Sequence, residues 1–231
     1  MVTHAQVDAF NRYLNTTVGR EKLCRLVQYF SRFYVFYLLR TGAPKDVVAR
    51  WENLKQHIAN GRKFFRLLKP VEFAQAGVKG LSLEDQVLRA ATVIKQAGMF
   101  FYYSSEVFVL TTAINFYKPD KLKEITTFGQ KCWFTAIAAS FLSGLYKYKQ
   151  IKTKAAQLEK RRKAGADVKA ESDTLHRNSF ATKYSLVLDA VDIVIPSANL
   201  GWLPVDEGVV GIAGMITSAM AMHTQWVKLN G

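Results

Sequence analysis

The sequence predicts an all-α, membrane-associated protein with N-terminal amphipathic helices and C-terminal membrane-embedded helices. Apolar residues recur at three- and four-residue spacing along most of the chain, which is the period of one helix face. Gly208 through Val227 carry no charged side chain between Glu207 and Lys228, and twenty helical residues reach about 30 Å, the thickness of a bilayer's hydrocarbon core. The net charge is +14, and it is unevenly placed. Residues 1–99 hold sixteen basic and seven acidic side chains, residues 100–184 fifteen and seven, and residues 185–231 one and four. Positive charge thus stops where the most lipophilic segment begins. That pattern suits an anionic phospholipid surface better than nucleic acid, so no nucleic-acid partner is expected.

From Val7 to Leu39 an apolar row of Phe10, Leu14, Leu23, Leu26, Val27, Phe30 and Tyr34 predicts two helices broken near Thr16 to Gly19. The first fifteen residues lack a basic segment followed by an apolar one, so no secretory signal is expected. Thr41-Gly42-Ala43-Pro44 reads as a turn, and Pro44 opens a third helix with Val47, Trp51, Leu54 and Ile58 on one face. Toward its end Arg62, Arg66 and Lys69 fall on one side, whereas Phe64, Leu67, Leu68 and Val71 fall on the other. Pro70 bends or ends that run, and Phe73, Val78 and Leu81 carry the apolar row into a short following helix. A helix of this composition lies in the membrane interface, with its apolar side about 5–10 Å below the headgroups. The expected lipid-binding set is Arg62, Lys63, Phe64, Phe65, Arg66, Leu67, Leu68, Lys69, Val71, Phe73, Val78 and Leu81. The same pattern also suits a surface helix packed on a soluble core.

The chain divides into an N-terminal amphipathic region over 1–95 with its inserting helix near 59–81, a membrane-embedded helical hairpin over 96–147, a basic cytosolic loop over 148–184, and membrane-embedded helices over 185–231. Trp133, Tyr146 and Tyr148 are placed as interface anchors. The loop assignment rests on the charges between Lys147 and Lys183 and on Arg161-Arg162-Lys163-Ala164-Gly165. In the last segment Gly211, Ala213, Gly214, Thr217, Ser218 and Ala221 form a small-residue stripe that lets helices approach closely, which predicts self-association. A buried, glycine-rich core helix fits the same run. Asp189 and Asp192, three apart in an apolar stretch ending at Pro196, are expected to pair with basic residues from elsewhere.

Catalysis finds no support. His4, His57, His176 and His223 are scattered, no nucleophile elbow is present, and Gly208-x-x-Gly211-x-x-Gly214 lacks the Lys-Ser/Thr of a phosphate loop. Cys24 and Cys132 lie apart without metal-ligand spacing, so neither a metal nor a cofactor is expected, and both read as buried free thiols.

Several runs taken together resemble a known family. They are Gly19-Arg20-Glu21-Lys22 leading to Gln28-Tyr29-Phe30, Gly61-Arg62-Lys63-Phe64-Phe65-Arg66-Leu67, Asp189-Ala190-Val191-Asp192 before Ile195-Pro196, Gly201-Trp202, and the segment from Gly208 to Trp226. Their order and spacing over the whole chain resemble the peroxin-eleven family of peroxisome proliferation proteins, in its fungal branch. One departure is Ser104-Ser105-Glu106, where relatives tend to carry an Asp. The resemblance implies a peroxisomal membrane protein, with cytosolic termini, that inserts its 62–81 region to bend and elongate the organelle before division. It also implies a later step by a dynamin-related GTPase. Keeping the basic 148–184 stretch cytosolic then calls for crossings or re-entrant hairpins near 97–117, 132–147, 185–203 and 208–227. The alternative function is an oligomeric metabolite channel assembled through Gly211, Gly214 and Ser218, with Asp189 and Asp192 in its pore. A third reading, a soluble helical nucleic-acid binder, would show affinity that falls steeply with salt.

Overall fold

A computed structural model describes residues 4–231, so the first three residues of the segment read for a secretory signal lie outside it. The described residues fold into helices throughout. Helix α1 (His4–Leu14) ends where Thr16 accepts a hydrogen bond from the Gly19 amide at 3.0 Å and caps α2 (Thr17–Arg40). Gly42, at φ 70°, occupies the left-handed conformation that closes α2, and Pro44 precedes α3 (Lys45–Phe64). Pro70 sits in the first turn of α4 (Lys69–Gly80), where its missing N–H costs nothing. The break predicted at Pro70 therefore falls before it, at residues 65–68.

Asp85 caps α5 (Gln86–Ala113), accepting from the Val87 and Leu88 amides at 2.9 and 3.0 Å. The same carboxylate accepts from Tyr146 at 3.1 Å and Gln150 at 2.8 Å, which ties the start of α5 to α6 (Leu122–Lys163). The chain continues through α7 (Lys169–Asp192), the short α8 (Val194–Asn199) and α9 (Glu207–Asn230), whose cap is Asp206 with the Val209 amide at 2.8 Å.

Two layers of neighbouring helices result. One is α9, α2 and α3 packed in that spatial order, and the other is α4, α5, α6 and α7. They meet through α7 with α9, α3 with α5, and α8 with both. The shared core joins Tyr29, Tyr102, Trp133, Ile137, Ile195, Val210 and Ala213. Tyr102 and Trp133 stack at 4.9 Å between ring centroids, binding α5 to α6.

Three sequence expectations change here. No helix among the described residues is long and apolar enough to cross a membrane, so the crossings expected near 97–117, 132–147, 185–203 and 208–227 are not supported. In α9 the uncharged run is diluted by Thr217, Ser218, His223, Thr224 and Gln225, and one of its faces is covered by α2. The stretch 148–184 is not a loop: α6 runs to Lys163, a tight turn at 164–168 uses Gly165 at φ 87°, and α7 returns beside α6. Its charges are the solvated faces of an antiparallel helix pair, held in part by Arg161 with Glu171 at 2.8 Å. Third, the small-residue stripe of α9 lies inside the chain. A Cβ on Gly211 would stand 2.8 Å from the Phe33 backbone, and one on Gly214 2.1 Å from the Tyr29 ring. Only glycine lets α2 and α9 come this close.

Candidate functional site: an apolar surface over a buried charge network

Helix α3 loses its regular bonding after Phe64. Arg66 N bonds Lys63 O at 3.1 Å and Lys69 N bonds Arg66 O at 3.0 Å, a tightened turn that hands the chain to α4. Along this corner and through α4 the apolar side chains stand in the open. Leu68 is 77% exposed, Val78 69%, Val71 66%, Leu81 57% and Phe64 50%; Phe65 and Leu67 are less so. Single exposed hydrophobes are ordinary; here Phe64, Leu68 and Val71 gather at the corner and Val78 and Leu81 stand at the far end of α4, a concentration that makes this surface the candidate site. Phe73 differs, because its ring stacks on Tyr103 of α5 at 5.2 Å and anchors α4 to the bundle. The apolar part of the expected lipid-binding set is thus presented outward, apart from Phe73.

The basic part is not. Arg62 is 6% exposed, and its guanidinium donates to Glu21 of α2 from Nε at 3.0 Å and Nη2 at 2.6 Å, with Nη1 on Gln28. Arg66 meets Glu106 of α5 at 2.7 Å, lies 4.0 Å from Glu21, and covers the Tyr103 ring at 5.4 Å. Lys69 pairs locally with Glu72 at 2.5 Å. The headgroup-facing role expected of Arg62 and Arg66 is therefore corrected: both point into the bundle. The physical reason is the pair of acids there, since a buried carboxylate without a partner costs several kcal/mol. Burial alone would raise the Glu21 carboxyl, but Lys22, Arg62 and Arg66 outweigh it and hold it well below the usual carboxylate range.

A second buried pair lies deeper. Arg25 of α2 binds Asp192 at the end of α7 and donates to Thr217 of α9 at 3.1 Å. Burial opposes the Arg25 charge, yet Asp192 more than offsets this and raises its pKa. Asp192 thus finds its basic partner from another helix. Asp189 faces elsewhere, and burial raises its pKa against the opposing effects of Ser140 and Lys95. In the single chain no pore forms through these residues, because Arg25 closes on Asp192 and α2 covers Gly211 and Gly214.

Of the small-residue stripe, Gly211, Ala213, Gly214, Thr217 and Ser218 are buried within the chain, and Ala221 is half-buried. The outer side of α9 instead shows Val209, Ile212 and Ile216. Sequence reasoning missed Glu21, Arg25 and Glu106 as partners. Glu21 did leave a signal, being the one acid between Asp8 and Asp46. Among the described residues, no group of His, Cys, Asp and Glu is placed to hold a metal ion, and both cysteines are free and half-buried.

Comparison with known proteins is consistent along the whole chain. The Peroxisomal membrane protein PMP27 of Saccharomyces cerevisiae is 29% identical, covering 98% of this chain and 97% of its own length. The Peroxisomal biogenesis factor 11 of Schizosaccharomyces pombe is 25% identical over 94% of this chain and 93% of that protein, and the human Peroxisomal membrane protein 11A is 26% identical over 94% and 96%. No solved structure matches. Residues 7–226 match the family described as Peroxisomal biogenesis factor 11 (PEX11), and the chain belongs to that family.

Proposed function

We propose that this chain is a peroxisomal membrane protein that sinks the α3–α4 surface into one leaflet and so bends and elongates the membrane before the organelle divides. One observation carries this reading: Leu68, Val71, Val78 and Leu81 are open, although the opposite side of the same corner is anchored by Arg62, Arg66 and Phe73. Burying each such side chain is worth about 1.5–3 kcal/mol, so four together suffice for reversible adsorption. Displacing lipid from one leaflet only expands that leaflet and favours curvature. The names of the relatives, which are peroxisomal membrane proteins and a peroxisomal biogenesis factor, support the location and the process.

On this reading the protein lies on the cytosolic face with both termini in the cytosol, and it works by binding lipid without turning over a substrate. Copies of the chain associate through the exposed Val209, Ile212 and Ile216 of α9, and a dynamin-related GTPase completes scission. The test is tubulation of anionic vesicles by the full chain. Wild-type protein deforms them and a Leu68→Asp/Val71→Asp variant leaves them round; equal tubulation by both would end the proposal.

A further inference from the structure

Beneath the exposed corner, between α2, α3, α5 and α7, lies a partly enclosed cavity of about 330 Å³. Six cationic side chains line it, namely Lys22, Arg25, Arg32, Arg62, Lys63 and Arg66, against three carboxylates, Glu21, Glu106 and Asp192. Each carboxylate already has its arginine: Glu21 has Arg62 at 2.6 Å, Glu106 has Arg66 at 2.7 Å, and Asp192 has Arg25. Arg32 turns to the rim, where Glu207 accepts at 2.9 Å. Two lysines remain over. Lys22 can only share Glu21, at 3.0 Å, with Arg62. Lys63 donates to the neutral Asn60 amide oxygen at 3.0 Å, and no carboxylate among the described residues lies within ion-pair distance of it. Burial, with repulsion from the neighbouring arginines, pushes the pKa of both lysines down and outweighs the pull of Glu21 on Lys22 and of the more distant Glu106 on Lys63.

Positive charge left over on these half-buried lysines is costly unless an anion offsets it. The donors present are of the kind that grip tetrahedral oxyanions: forked guanidinium groups of fixed geometry beside ammonium groups of adjustable reach. The volume is at the small end of ligand pockets, which run to roughly 300–1,000 Å³. We propose that this cavity is a binding site for a phosphate group, with Lys22 and Lys63 as the cations that select it. The phosphate can arrive free, as inorganic phosphate or a small phosphorylated molecule, or on a lipid headgroup, since Lys63 and Arg66 alternate along the chain with the outward Phe64, Phe65 and Leu67. The charge imbalance stands whether or not the α3–α4 surface enters a membrane.

The full chain is titrated with inorganic phosphate, followed by calorimetry and thermal unfolding, with chloride at matched ionic strength as control. Phosphate is expected to bind and to raise the melting temperature where chloride does not. Lys63→Met should weaken that binding roughly tenfold or more, the usual effect of losing one charged hydrogen bond, yet leave the unliganded protein folded because no carboxylate loses its partner. Lys154→Met, on the exposed part of α6, should change nothing. Absence of a phosphate effect, an equal effect of chloride, or an equal loss in both variants would overturn the site. Vesicles containing phosphatidic acid then separate the sources. Competition by free phosphate that disappears in Lys63→Met assigns the site to a headgroup; phosphate binding without such competition assigns it to a free ligand. Vesicle binding that is identical in wild type and Lys63→Met, with no phosphate binding, would remove the cavity site and leave the surface reading intact.

Discussion

Arg62 of α3 closes on Glu21 of α2 through two hydrogen bonds, at 3.0 Å from Nε and 2.6 Å from Nη2, although the two residues are 41 positions apart. The same turn of chain that offers Phe64 and Leu68 to the outside is thereby fastened from within. If this surface inserts as proposed, it needs such an anchor, because force exerted on a leaflet must be transmitted to the rest of the protein without peeling the helix away.

Breaking that pair should cost stability before it costs membrane binding. Arg62→Ala is expected to destabilise the fold by about 3–5 kcal/mol, because it leaves Glu21 buried without its main partner. Replacing both residues with Met should recover much of the loss. Denaturant melts of the two single variants and the double variant measure this, and a double variant no better than Arg62→Ala would show that the pair is not coupled.

The Glu21 carboxyl is held below its ordinary value by Lys22, Arg62 and Arg66, which outweigh its burial, and the sign of the pH effect follows. A carboxyl with a depressed folded pKa adds stability above its unfolded pKa of about 4.3, and that stability drains away as the pH falls toward the folded value. Melting temperatures should hold from pH 7 to about 5 and fall increasingly below about 4. In Glu21→Gln the acid-side slope should flatten; an unchanged slope would assign acid lability to other groups.

The outward residues should behave in the opposite way. Leu68→Asp and Val71→Asp change side chains that are 77% and 66% exposed, so each should shift stability by no more than about 0.5 kcal/mol. Each should nevertheless weaken vesicle binding at least tenfold, since an apolar contribution of about 1.5–3 kcal/mol is lost. Co-flotation of the full chain with anionic liposomes reads this directly. Equal flotation would mean that lipid contacts another face.

Gly214 tests whether the α9 stripe serves the monomer. A Cβ there meets the Tyr29 ring at 2.1 to 2.5 Å, so Gly214→Ala should destabilise by about 1–3 kcal/mol, equally at all protein concentrations. A penalty that varied with concentration would instead place the stripe between copies.

If the protein lies on the cytosolic face as proposed, a protease site inserted at Gly165, in the turn joining α6 to α7, should be cut in intact organelles. Protection of that site would require a crossing and would refute the cytosolic arrangement.

The helical character of the N-terminal half and its first helix ends were legible in the sequence, since they rest on local chemistry: Thr16, Gly42, Pro44 and Pro70 each mark a boundary through their own backbone or side-chain preferences, whereas the charged α6–α7 pair read as a loop. The apolar row from Phe64 to Leu81 and the family were legible too. Which face of each helix is covered was not. A wheel gives the angle between Arg62 and Phe64, and it says nothing of Glu21 on another helix, whose burial turns the arginine inward. Likewise the stripe of Gly211 and Gly214 announces close approach, while only the packed bundle names α2 as the helix that approaches. Periodicity is a property of neighbours in sequence, whereas the cost of an unpaired charge or an empty gap is settled between helices far apart in the chain.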